Sequence, residues 1–62
     1  MIRFAIGQIW EADFSGTTRQ LQVERIYDDG WLADFRFLDD GDTATRISRT
    51  HLTPEWSLVS RD

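Results

Sequence analysis

Three groups of residues in this 62-residue chain have the types that could do chemistry. The first surrounds His51, the only histidine, in the stretch "SRTHLTPEWSLV" with Ser48, Thr50 and Glu55 nearby. Histidine titrates near neutral pH and can serve as a general base. A hydrolase also needs a nucleophile and an orienting acid within reach, and no recognised spacing joins these residues. The second group is the acidic run Asp39, Asp40 and Asp42. Calcium loops place oxygen ligands at alternating positions and close on a glutamate. "DDGDTATR" has no such glutamate and reads as a solvated turn. The third group is aromatic: Trp10, Tyr27, Trp31 and Trp56 are the rings hardest to place all inside so small a domain. Rings whose faces converge could hold a cation, and tryptophan, tyrosine and arginine are enriched in interface hot spots.

Composition narrows the classes. The absence of cysteine removes disulfides and thiolate metal sites, and one histidine cannot build a structural zinc site in one chain. No catalytic residue, metal or cofactor is assigned, and the chain is not expected to be an enzyme. The net charge is −4, and all seven basic residues are arginines. An acidic domain approaches nucleic acid phosphates at an electrostatic cost, and fits a basic protein surface more easily. Arginine in place of lysine follows from codon bias or from bidentate pairing with oxyanions. No apolar run approaches the roughly 20 residues of a membrane helix, and "MIRFAIGQIW" lacks the long apolar region of a signal peptide. The expectation is a cytoplasmic protein whose Met1 opens a complete reading frame.

These side chains must be positioned by short strands. Turn signals recur at "SGTT" (15–18), "DDG" (28–30), "DDGD" (39–42) and "HLTP" (51–54), with β-rich runs between them. Such punctuation predicts an all-β domain covering 1–62. The strands are expected at Ile6–Phe14, Arg19–Tyr27, Trp31–Leu38, Thr43–Ser48 and Trp56–Ser60. Asp-Gly supports the positive φ angles of a tight primed hairpin turn. In the second strand Leu21 and Val23 share a face, and Ile26 then breaks the alternation. That switch predicts a bulge near Glu24 and Arg25. In the third strand Trp31, Ala33, Phe35 and Phe37 are expected on one face, with Leu32, Asp34, Arg36 and Leu38 on the other and Asp34 and Arg36 outward. Arg36 and Arg46 are expected to pair with Glu24 or Asp34. A short 3₁₀ turn is expected before the last strand, with Leu52 plugging the end of the core and Pro54 ending the connection.

With "IGQIW", "VERI", "TRIS" and "HLTPEWSLV" carrying the likeness, the chain resembles the SH3, Tudor and KOW group of small barrels, and short uncharacterised bacterial or phage reading frames of similar pattern. The resemblance implies a five-stranded SH3-like barrel. It also implies three kinds of ligand: proline-rich peptides, methylated side chains, and nucleic acid or ribosomal and transcription partners. The tyrosine pair of the SH3 peptide groove is absent here. Small size, acidic charge and surplus rings point to a non-enzymatic module that binds another protein, such as a phage- or plasmid-type modulator of a host complex. Its binding residues would be Trp10, Tyr27, Trp31 and Trp56. An acidic mimic of nucleic acid would present Asp28, Asp29, Asp39, Asp40 and Asp42. The alternatives are a nucleic-acid-binding barrel using an arginine strip (Arg19, Arg25, Arg36, Arg46, Arg49) and a homo-oligomer whose rings cover one another.

Overall fold

A computed structural model of the chain describes residues 2–53 and 55–60. Pro54, expected to end the last connection, lies outside the described residues. The strands are β1 (Ile9–Phe14), β2 (Thr17–Tyr27), β3 (Leu32–Phe37), β4 (Thr43–Ser48) and β5 (Ser57–Ser60), with a 3₁₀ turn at Arg49–His51 before the last. They form one antiparallel sheet in the order β4-β3-β2-β1-β5. The sheet stays open, with β4 and β5 as its edges, so the structure is all-β without a closed ring of strands.

The turns follow from local chemistry. Ser15 (φ 55°) and Gly16 (φ 87°) form a two-residue hairpin between the paired Phe14 and Thr17. Asp29 (φ 60°, ψ 30°) and Gly30 (φ 94°) have the angles of a type I′ turn, which Trp31 closes by donating its N–H to the Asp28 carbonyl at 3.2 Å. Trp31 therefore belongs to the turn, one residue ahead of β3. At the other end of β3, Gly41 N–H donates to the Phe37 carbonyl at 3.0 Å and Phe37 N–H to the Asp42 carbonyl at 2.8 Å.

The expected bulge is present: β2 shifts register between Val23 and Arg25, opposite Phe35 and Asp34. Ile26 then pairs with Ala33 on the inner side of β2 but stays 38% exposed, and Arg25 and Tyr27 face outward. A second bulge, unforeseen, lies in β4. Ala33 pairs with Ile47 but Phe35 with Ala44, so Thr45 and Arg46 together face Asp34. Arg46 adopts φ 56°, a left-handed conformation that a branched-out side chain adopts at a cost.

The inner face holds the core: Phe4, Trp10, Ala12, Leu21, Val23, Ala33, Phe35 and Phe37 are buried, with Phe14, Ile47, Leu52, Trp56 and Leu58 packed against them. Six rings make an unbroken edge-to-face chain, Trp10 to Phe4 (5.5 Å), Phe35 (5.0 Å), Trp56 (5.8 Å), Phe14 (5.9 Å) and Phe37 (5.3 Å). Ring pairs in this geometry contribute about 0.5–1.5 kcal/mol beyond their buried area.

Ile6–Gln8, expected to open the first strand, instead form a turn that docks on the sheet. Gly7 has φ 90°, which breaks the strand, and Gln8 N–H donates to the Ala5 carbonyl at 3.2 Å. Gln8 is the buried polar residue of the core. Its Oε1 accepts from Ala5 N–H (2.9 Å) and Trp10 Nε1–H (3.1 Å), and its Nε2 donates to the Arg3 carbonyl (3.4 Å). The "GQIW" stretch is thus a brace tying the N-terminal segment to the core tryptophan.

Candidate functional site

Two turns lie side by side at one end of the sheet. Leu38 N–H donates to the Gln20 carbonyl at 2.9 Å, which brings the β3–β4 turn against the start of β2. The short β1–β2 hairpin and Trp56, just ahead of β5, complete this end. Rings and carboxylates gather here. Phe14 and Trp56 are half-buried and touch Phe37 or Phe35 edge-on. Asp13 precedes Phe14, Asp39, Asp40 and Asp42 lie in the β3–β4 turn, and Glu55 precedes Trp56.

A single guanidinium sits among them. Arg19 shares the inner side of β2 with Leu21 and Val23, opposite Ala12. It lies 3.8 Å from the Phe37 ring centre and 5.9 Å from that of Phe14. Its Nε and Nη2 take Asp39 as a fork, both at 2.9 Å, and Nη2 also reaches Asp40 at 3.1 Å. The Asp39 hydrogen bonds raise the Arg19 pKa and lower that of Asp39. Asp42 N–H donates to Asp40 Oδ1 at 2.9 Å, fixing the turn. The end is therefore a rigid aromatic and acidic surface, with more negative charge than its one arginine offsets.

Of the residues singled out in the sequence, Trp56, Asp39, Asp40 and Asp42 come together here. The others do not. Asp28 and Asp29 lie in the turn at the far end of β3, where Asp29 pairs with Arg3 at 2.9 Å. Trp10 is withdrawn as a surface contact: it is 3% exposed, with its N–H spent on Gln8 and Arg49 lying 5.2 Å from its ring centre. Trp31 is half-buried under Arg3 (5.2 Å), and Tyr27 under Arg46 (4.3 Å). The rings therefore form no common cage, because each of these three already carries a cation of its own chain.

The arginine strip is divided in the same way. Arg19 faces inward, and Arg49 stacks on Trp10 and donates to the Ile2 carbonyl. Arg36 pairs with Glu24, as expected, and donates to the Gly41 carbonyl at 2.9 Å. Among the described residues, His51 is exposed, is fixed by no side-chain bond in the 3₁₀ turn, and meets no catalytic partner. Phe14 and Phe37 were not expected at the site, and Arg19 was expected only in a nucleic-acid strip and not among rings and carboxylates. Their signal was an arginine on the apolar side of β2's alternation.

A second polar cluster occupies the outer face. Asp34 stands between the two bulges, accepts from the Tyr27 hydroxyl at 2.6 Å and from Arg46 N–H at 2.9 Å, and lies opposite Arg25. The Tyr27 hydrogen bond first, then that of Arg46 and the charges of Arg46 and Arg25, hold its carboxyl below the ordinary carboxylate range.

Compared with known protein families, with curated proteins and with solved structures, the chain matches none of them. Among the described residues no group of histidine, cysteine, aspartate and glutamate could hold a metal, and no helix is long and apolar enough to cross a membrane.

Proposed function

We propose that this chain is a non-enzymatic protein-binding module built as an SH3-like barrel left open, and that its aromatic and acidic end meets a basic protein surface. Short curved strands, a bulged β2, glycine turns and a 3₁₀ turn before β5 support the barrel reading. The two-residue first turn leaves no long loop for an SH3-type peptide groove.

The observation that carries the function is the placement of charge. Asp39, Asp40 and Asp42 share this end of the sheet with Phe14 and Trp56, with Arg19 paired to the first two, while Asp13 alternates with Phe14 and faces the other side of β1. A rigid ring surface with an acidic rim suits a partner that brings arginine or lysine over apolar neighbours. The same accounting weighs against nucleic acid, since Arg3, Arg19 and Arg36 are taken up in ion pairs and Arg46 and Arg49 in ring stacking. A phage- or plasmid-type modulator of a host complex is a role of this kind.

Affinity capture at physiological salt, with wild type beside a D40N/D42N double variant and W56A, tests the reading. A basic partner retained by wild type and lost by the variants is the expected outcome. Capture of no protein, or equal retention by the variants, overturns it. A salt series with DNA and RNA is expected to show no shift. A steep salt-dependent shift would instead identify the nucleic-acid alternative.

A further inference from the structure

Arg25 differs from the other arginines among the described residues. Among the described residues it has no hydrogen bond, ion pair or ring contact of its own, although it stands opposite Asp34 in the β2–β3 register. It lines a cleft of about 450 Å³ on the outer face, together with Glu24, Asp34 and Arg36. The bulge in β2 turns Arg25 outward, and the bulge in β4 sets Arg46 beside the same aspartate. Bulges recur where a sheet aims side chains at a ligand.

The carboxylates of the cleft are already held. Glu24 accepts from Arg36 Nε. Asp34 uses Oδ2 for the Tyr27 hydroxyl and Oδ1 for Arg46 N–H. Arg36 gives Nη1 to the Gly41 carbonyl, which leaves its Nη2 uncommitted among the described residues. The cleft itself is lined by two guanidiniums (Arg25, Arg36) and two carboxylates (Glu24, Asp34); Arg46, outside the lining, adds its charge beside Asp34, so the surroundings carry one positive charge in excess in a chain whose overall charge is −4. Of the three, Arg25 alone makes no hydrogen bond or ring contact, although its charge acts on Asp34. A planar guanidinium takes a planar carboxylate through two parallel N–H donors, a match that lysine cannot make. A phosphate group, with a charge of about −1.5 to −2, would exceed the single surplus charge and meet repulsion from Glu24 and Asp34.

The geometry points to the outer-face cleft as a carboxylate-binding site, in which Arg25 is the bidentate donor and Arg36 the second, with Glu24 and Asp34 holding the walls in place. The ligand class is the carboxylate of a peptide, from its C-terminus or from a side chain. The site lies on the outer face of the sheet, where Arg36 also reaches the Gly41 carbonyl of the acidic turn, and its test does not depend on that end binding a partner.

Proton–nitrogen NMR of the arginine Nε–H groups tests it at constant ionic strength. The probes are N-acetylglycine for a C-terminal carboxylate, the α-amide of N-acetylglutamate for a side-chain carboxylate, N-acetylglycinamide as the uncharged control, and inorganic phosphate. The expected result is a saturable shift of Arg25 Nε–H with one or both carboxylates, which also identifies the source. No shift is expected with the amide, and weaker binding with phosphate. Arg25→Gln is expected to weaken carboxylate binding roughly tenfold, in keeping with a lost charge-assisted pair. Arg25→Lys, which keeps the charge but loses the fork, should fall between. Arg25 makes no hydrogen bond, ion pair or ring contact within the fold, so both variants should keep wild-type spectral dispersion. Absence of a shift, unchanged binding in Arg25→Gln, full binding in Arg25→Lys, or tighter binding of phosphate than of either carboxylate would overturn the proposal.

Discussion

Gln8 shows how one side chain can decide the packing of a small core. It is buried, and its amide serves Ala5 N–H, Trp10 Nε1–H and the Arg3 carbonyl together. Q8L should leave the tryptophan and Ala5 donors without partners and cost about 1–3 kcal/mol, read as a lower denaturant midpoint at unchanged slope. Asp34 and Asp39 give a second prediction. Their carboxyls are held below the usual range by hydrogen bonds from Tyr27 and Arg19 respectively. A lowered folded-state pKa contributes stability that is present above the unfolded value, near 3.9 for aspartate, and is lost as pH falls through the folded value. Thermal midpoints should therefore be level from about pH 5 to 8 and fall below about pH 4. D34N or D39N should each reduce that acid dependence. The sequence already offered Arg36 with Glu24 as a pair. It could not offer Gln8 as a hub, because a polar residue beside a turn is ordinarily solvated.

At the level of elements, glycine and bulges set the shape. Gly30 combines φ 94° with a close approach: a Cβ there would stand 2.7 Å from the Phe4 carbonyl oxygen. The same glycine's carbonyl accepts Phe4 N–H at 2.8 Å. G30A should therefore cost more than the roughly 1–2 kcal/mol of a left-handed alanine and loosen the N-terminal segment, seen as faster amide exchange at Phe4. Arg46 is the reverse case, a non-glycine held at φ 56° by its N–H bond to Asp34 and its stacking on Tyr27. R46G gives up the stacking but relieves the backbone. R46A gives up the stacking and keeps the strained backbone, and should be the less stable by about 1 kcal/mol in denaturation. The β2 bulge was legible because Ile26 breaks the two-residue period after Val23. The β4 bulge was not, since Thr45 and Arg46 are polar and either orientation agrees with the pattern.

For the whole molecule, six of the eight aromatic rings form one continuous edge-to-face chain, and the other two, Tyr27 and Trp31, lie under Arg46 and Arg3. The exposed large apolar residues are spread over the N-terminal segment, β2, the residue after β3 and β5 (Ile2, Ile6, Ile26, Leu38, Val59). Such a distribution gives little reason for self-association, and sedimentation over a range of concentrations is expected to show a monomer. Charge is segregated instead: carboxylates gather at the end bearing Phe14 and Trp56, and the outer face of β2–β3–β4 carries the arginine excess.

The sequence by itself determined the number and approximate places of the strands and the inner-facing Ala33, Phe35 and Phe37 of β3, but not the turn at Ile6–Gln8 or the place of Trp31 ahead of β3. The features it determined depend on a two-residue period and on which residues accept positive φ, and both are local. Only the tertiary structure decided which arginine meets which ring, that Trp10 lies inside while Trp56 reaches the edge, and that Asp34 stands between two bulges. Those features depend on register between strands distant in the chain, and one inserted residue in β4 is enough to change them. The open sheet was decided at the same level: β5 pairs with β1 and β4 with β3, and no ladder joins β4 to β5 among the described residues.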